Sequence, residues 1–156
     1  MESLVLHEAC MNDEFICKYY KGIYARNELC FIQVEKPALY IVNTAHAFEA
    51  YGHWIVLFIS DDYQVEIFDS FAKKLSDRHV NILNFVLSLN ETFVLSNKRI
   101  QSKMSMKCGW FCLYYAYFRC RNISFNEILK HFFVTELAFN DKIVVDFCKE
   151  KFQITF

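Results

Sequence analysis

The sequence predicts an α+β fold, a mixed β-sheet packed against a central helix that carries a cysteine at its N-terminus. Three stretches carry this expectation. His53 to Ile59 is a continuous apolar run of strand length, which suits a strand buried on both faces. Gln64 to Phe68 returns after an Asp61-Asp62 turn and is expected to pair with it antiparallel. Residues 108–120 are strongly apolar and read as a buried helix that starts at Cys108.

The other elements follow in order. Residues 1–21 mix apolar and charged positions and suit a short helix. Cys30-Phe31-Ile32-Gln33-Val34 reads as a strand or an approach segment ending near Pro37, and Ala38 to Thr44 is β-prone. Residues 77–89 have helix length and a broad apolar face, and Thr92 to Leu95 reads as a further strand. Ser124-Phe125-Asn126-Glu127 fits a capping box, with Ile123 and Ile128 as the staple, so a helix should begin at Phe125. Phe139, Ile143, Val144, Phe147 and Cys148 recur at helical spacing and predict a last amphipathic helix.

With 156 residues, 54% hydrophobic, and only three glycines and one proline, the chain suits one domain, 1–156, without a linker. The formal charge of −1 argues against a nucleic-acid or membrane-surface partner. Seven cysteines, an odd number, and an acidic N-terminus with too short an apolar stretch for secretion predict free thiols in a reducing, intracellular setting. No apolar run reaches the ~20 residues of a membrane helix.

Chemistry concentrates at His53, Asp69, Gln101 and Cys108. A thiol attacks a carbonyl as thiolate. Cys108 opens a predicted helix, where the macrodipole favours an anion, and an imidazole such as that of His53 would stabilise it further. Asp69 is placed to orient the other ring nitrogen, and Gln101 to offer an amide to a developing oxyanion with the Cys108 backbone N–H. Gly109 would leave room for substrate backbone. Trp54 suits either a cleft wall or core. Taken singly, each of these is more often a buried thiol or a satisfied histidine. Together they specify a cysteine peptidase. A metal site built from Cys108, Cys112 and His53 is not expected, for want of a Cys-x2-Cys pair or a second nearby histidine. Glu66 alternates away from Ile67 and is the weaker candidate for the acidic role.

The chain resembles adenain, the adenovirus-type cysteine peptidase, and more distantly the SUMO-protease clan. Three stretches carry the resemblance: Ile41-Val42-Asn43-Thr44-Ala45 with Gly52-His53-Trp54, Val65 to Phe71, and Gln101 through Cys108-Gly109-Trp110-Phe111-Cys112. They span about residues 41–120. The resemblance implies a papain-like arrangement in which the central helix carries the nucleophile. It implies endopeptidase action on viral precursor proteins at small or glycine-containing sites, in the virion or host nucleus. It implies that Asn43 and Thr44 line the cleft. The chain departs from adenain in having Asp69 in place of a glutamate, as the wider clan does. Its near-neutral charge speaks against activation by DNA. The absence of any cysteine between Cys30 and Cys108 rules out a disulfide-tethered cofactor there, though a non-covalent activating peptide fits. No other cofactor is expected, and a monomer is. The alternatives are an isopeptidase acting on ubiquitin-like modifiers and a non-catalytic partner-binding scaffold.

Overall fold

In the computed structural model, residues 1–75, 79–90 and 92–155 are described. The elements are α1 (Ser3–Asn12), β1 (Tyr20–Ala25), β2 (Ala38–Asn43), β3 (Trp54–Ile59), β4 (Val65–Phe68), α2 (Val80–Leu89), β5 (Phe93–Leu95), α3 (Cys108–Arg119), α4 (Phe125–Leu129) and α5 (Leu137–Phe152). Short 3-10 turns cover Ile16–Lys18 and Arg26–Phe31. The start of the helix expected over 77–89 lies outside the described residues.

The sheet runs β1-β2-β3-β4-β5 in space, in chain order. The outer pairs β1·β2 and β4·β5 are parallel, and the inner pairs β2·β3 and β3·β4 are antiparallel. It is a mixed sheet in an α+β fold.

Alternation along the strands divides the core into two clusters. Leu39, Ile41, Val56, Phe58 and Phe68 belong with residues of α1, α3, α4 and α5. Tyr40, Val42, Ile55, Leu57, Ile59, Val65 and Ile67 belong with Ile82, Phe85 and Val86 of α2. This period of two is what a strand buried on both faces requires. Nearly every side chain of β2 and β3 is therefore apolar and buried.

Helix α3 lies against β3. Its residues Gly109 to Ala116 are all buried, and the Tyr115 ring stacks on Phe68 with centroids 4.4 Å apart. Aromatic side chains also join α3 to α5: Tyr114, Tyr117 and Phe118 each pack on Phe147. Ser124 Oγ accepts the Glu127 N–H and Glu127 reaches back to the Ser124 N–H, so the expected capping box starts α4.

Two parts of the N-terminal third differ from expectation. Tyr20–Ala25 is a strand, β1, that the charged Lys18 and Lys21 and the following Gly22 concealed. Cys30 and Phe31, read as a strand or an approach segment, end a 3-10 turn. Glu28 accepts the Ala25 N–H at 2.6 Å and closes that turn locally, which competes with ladder pairing.

Candidate active site

His53 immediately precedes β3 and Asp69 immediately follows β4. The two strands are antiparallel with Val56 opposite Phe68, so both residues emerge at the same end of the hairpin. Helix α3, packed across β3, brings its first residue, Cys108, to that end.

His53 Nε2 lies 2.6 Å from Asp69 Oδ1. That leaves Nδ1 for Cys108. His53 is 9% exposed and Asp69 5%, so the pair sits in a low-dielectric setting where orientation matters. Asp69 also accepts the Phe71 N–H at 2.8 Å and the Lys73 N–H at 3.0 Å, and its own N–H donates to Ser96 Oγ at 2.9 Å. The carboxylate is thus fully bonded and cannot swing away cheaply. The Phe71 ring, centroid 4.8 Å from that of His53, covers the imidazole.

The three groups shift one another's pKa. Burial pushes the Cys108 thiol up, but hydrogen bonding and charge from His53, with the Trp54 and Gly109 backbone N–H groups, hold it below the ordinary thiol value. Burial pulls the His53 imidazole down, yet Asp69 first and Cys108 second raise it to about 9. Burial raises the Asp69 carboxyl, and His53 with the Phe71 and Lys73 amides holds it below the usual carboxylate value. The three groups thus favour one another's charged forms. The buried cysteines Cys10, Cys112, Cys120 and Cys148 are all pushed up by desolvation, and all seven thiols are free.

Gln101 is placed differently. It is fully buried, its Nε2 donates to the Ser105 carbonyl at 2.7 Å, and its Oε1 accepts from Ser70 Oγ at 2.6 Å. The Ile100 and Gln101 N–H groups both donate to the Ser70 carbonyl, and Asn140 Nδ2 donates to the Ile100 carbonyl. Gln101 thus anchors the loop that leads into Cys108.

A cleft of about 300 Å³ opens over Cys108 and His53. Asn43, Trp54, Phe71 and Ser105 line it, with Tyr51 and Met106 exposed at its edge. Trp54 serves as both wall and core, being half-buried against the main cluster. Larger hollows exist, one of about 710 Å³ near Asp13 and Arg121, but neither His53 nor Cys108 lines that one.

Two residues expected at the substrate make contacts within the chain. Thr44 is outside the cleft lining: its Oγ1 accepts the His53 N–H at 3.1 Å and its N–H donates to the His53 carbonyl at 2.8 Å. It extends the β2–β3 pairing by one residue and fixes the His53 backbone. At Gly109 the open space is filled by the chain itself, since a Cβ there would meet Met1 Cβ at 3.0 Å and Leu6 Cδ2 at 3.4 Å. Met1, Ser70, Ser96 and Ser105 were not singled out from the sequence. Ser70 adjoins Asp69, which was a usable signal, while nothing local marks Met1 or Ser96.

Glu66, the weaker acidic candidate, is bonded elsewhere. It accepts from Tyr115 Oη and pairs with Arg119 Nε at 2.8 Å and Nη2 at 3.1 Å.

No protein-family model matches the chain, and no curated protein sequence does. In fold the chain is similar to the central domain of an uncharacterized protein from Legionella pneumophila, with TM-score 0.59 and 13% identity over 98% of this chain and 96% of that one. A protease from ASFV is a more distant neighbour, with TM-score 0.46 and 20% identity over 71% of this chain, which spans 44% of that protein's length. The Legionella likeness covers the whole α+β domain and concerns the fold alone.

Proposed function

We propose that the protein is a cysteine endopeptidase with a Cys108–His53–Asp69 triad. The observation that carries the reading is the buried 2.6 Å contact between His53 Nε2 and Asp69 Oδ1, which aims the second ring nitrogen at a thiol on the first residue of α3.

The chemistry follows from that geometry. Cys108 thiolate attacks the carbonyl carbon of a peptide bond, and the carbonyl electron pair moves to oxygen. The Cys108 backbone N–H, at the N-terminus of α3, is the donor for the oxyanion. The His53 imidazolium gives its proton to the departing amine, and a thioester to Cys108 remains. Neutral His53 then takes a proton from water, the hydroxide equivalent attacks the thioester, and Cys108 leaves as thiolate. Asp69 stays ionised throughout and stabilises the imidazolium. Gln101, buried and outside the cleft lining, positions the 102–107 loop that leads into Cys108.

The resemblance to adenain extends this reading to viral precursor proteins as substrates, cut at small or glycine-containing sites, in a virion or host nucleus. A non-covalent activating peptide is compatible with it. The cleft is walled by Trp54 and overlooked by Tyr51, a shape that suits a small residue at the cleaved bond.

The test is cleavage of a peptide panel that varies glycine, alanine and bulky residues on either side of the cut. Wild type should cut glycine-containing members, and Cys108→Ala should lose turnover while keeping its melting temperature. Undiminished cleavage by Cys108→Ala refutes the proposal.

A further inference from the structure

The first residues of the chain belong to the cleft. Met1, Glu2 and Ser3 line it together with His53 and Cys108. Met1 also touches two residues that lie far apart in sequence. Trp54 Nε1 donates to the Met1 carbonyl at 3.3 Å. The Met1 side chain lies against Gly109, with Cβ at 3.0 Å and Sδ at 3.3 Å from the place a glycine side chain would begin. Met1 is half-buried and packs on the main core cluster.

Trp54 opens β3 and Gly109 is the second residue of α3. These are the two elements that carry His53 and Cys108. Met1 bridges both, its carbonyl taking the Trp54 indole N–H and its side chain lying against Gly109, at the point where an imidazole must meet a thiol. The Trp54 and Gly109 backbone N–H groups are also the two amides that act on Cys108 Sγ.

We infer that Met1 is a positioning residue of the active site: bonded to Trp54 through its carbonyl and packed on Gly109 through its side chain, it holds the start of β3 and the start of α3 in the register that brings His53 to Cys108. This rests on the peptidase reading above. Gly109 accommodates this wedge from the other side, because any side chain at 109 would press on Met1. Misplacement of reacting groups by about 1 Å costs up to roughly a hundredfold in rate. Loss of the wedge should therefore show in the chemistry before it shows in stability.

The experiment uses the full chain produced behind a leader that is removed to leave position 1 as its first residue. Wild type, Met1→Gly and Met1→Leu are compared by the pH dependence of Cys108 alkylation with limiting iodoacetamide, by kcat/KM on a cleaved peptide, and by thermal midpoint. Met1→Gly should raise the alkylation midpoint and lower kcat/KM about tenfold or more, with melting little changed, and Met1→Leu should restore most of both. A fast Cys108 that Met1→Gly leaves unaltered overturns this inference while the peptidase reading stands. A loss that leucine does not restore, or that follows a fall in melting temperature, assigns Met1 to folding alone and also overturns it. A wild-type Cys108 no faster than the exposed Cys17 and Cys30 defeats the peptidase reading and this inference with it.

Discussion

His53 and Asp69, separated by a strand, a turn and a second strand, meet at 2.6 Å between Nε2 and Oδ1. Asp69 is held by three further backbone or hydroxyl partners, so the carboxylate is a fixed reference for the ring. Asp69→Asn keeps the shape but reverses one half of the bond, because an amide nitrogen now faces the ring. It should lower kcat/KM by about 10²-fold or more. Buried unsatisfied groups should also lower stability by about 1–3 kcal/mol, read from denaturant unfolding. Unchanged kcat/KM would remove Asp69 from the catalytic set.

The pH dependence has a definite sign. His53 is raised from 6.5 to about 9, so its stabilising protonation is complete below 6.5 and is lost as pH rises through about 9. Asp69 is lowered from 3.8, so its contribution is complete above that value and is lost as pH falls through the depressed one. Peptide cleavage should rise with pH through the lowered Cys108 value and fall again near 9, when the imidazolium is lost. A kcat/KM profile whose alkaline limb lies near 6.5 would contradict the raised imidazole.

Gly52 is required by its neighbours. A Cβ there would lie 1.7 Å from Asn43 Oδ1 and 2.6 Å from Ala45 Cβ. The Asn43 oxygen in turn accepts the Ala45 N–H at 2.9 Å and shapes the loop leading to His53. Gly52→Ala should cost about 1–3 kcal/mol and reduce Cys108 reactivity, because the displaced residue is next to His53. Asn43→Ala makes space, so the double variant should be less destabilised than the sum of the single changes in thermal unfolding.

Glu66 offers a control for electrostatics without catalysis. Its carboxylate binds Arg119 through two nitrogens and takes the Tyr115 hydroxyl, all between β4 and α3. Glu66→Gln should destabilise the fold by about 2 kcal/mol, since breaking a partly buried pair leaves the Arg119 cation uncompensated. Cys108 alkylation at neutral pH should stay within about twofold of wild type. A large loss of reactivity would move Glu66 into the site.

Much of the central sheet was legible because β3 and β4 carry their burial in their own residues. An apolar run from Trp54 to Ile59, a two-aspartate turn and a shorter return strand leave few other arrangements. The capping box at Ser124 was legible because all of its bonds are local. Strand β1 was not, because Lys21 and Gly22 break its pattern and its pairing to β2 is parallel and long-range. At the site, His53, Asp69 and Cys108 could be named because each adjoins an element boundary. The bonding of Gln101 to Ser105, the pinning of His53 by Thr44 and the seat of Met1 on Gly109 could not. Each depends on which way a side chain turns after the sheet and α3 have packed, and no local pattern encodes that.

The most direct test of the central claim is competitive labelling of all seven cysteines with limiting iodoacetamide near neutral pH, mapped by peptide, in wild type and His53→Ala. Cys108 should react first by a wide margin in wild type, ahead even of the exposed Cys17 and Cys30, and should lose that lead without the imidazole. A Cys108 that reacts no faster than Cys17 and Cys30, or that keeps its lead in His53→Ala, would contradict the ion pair on which the account stands.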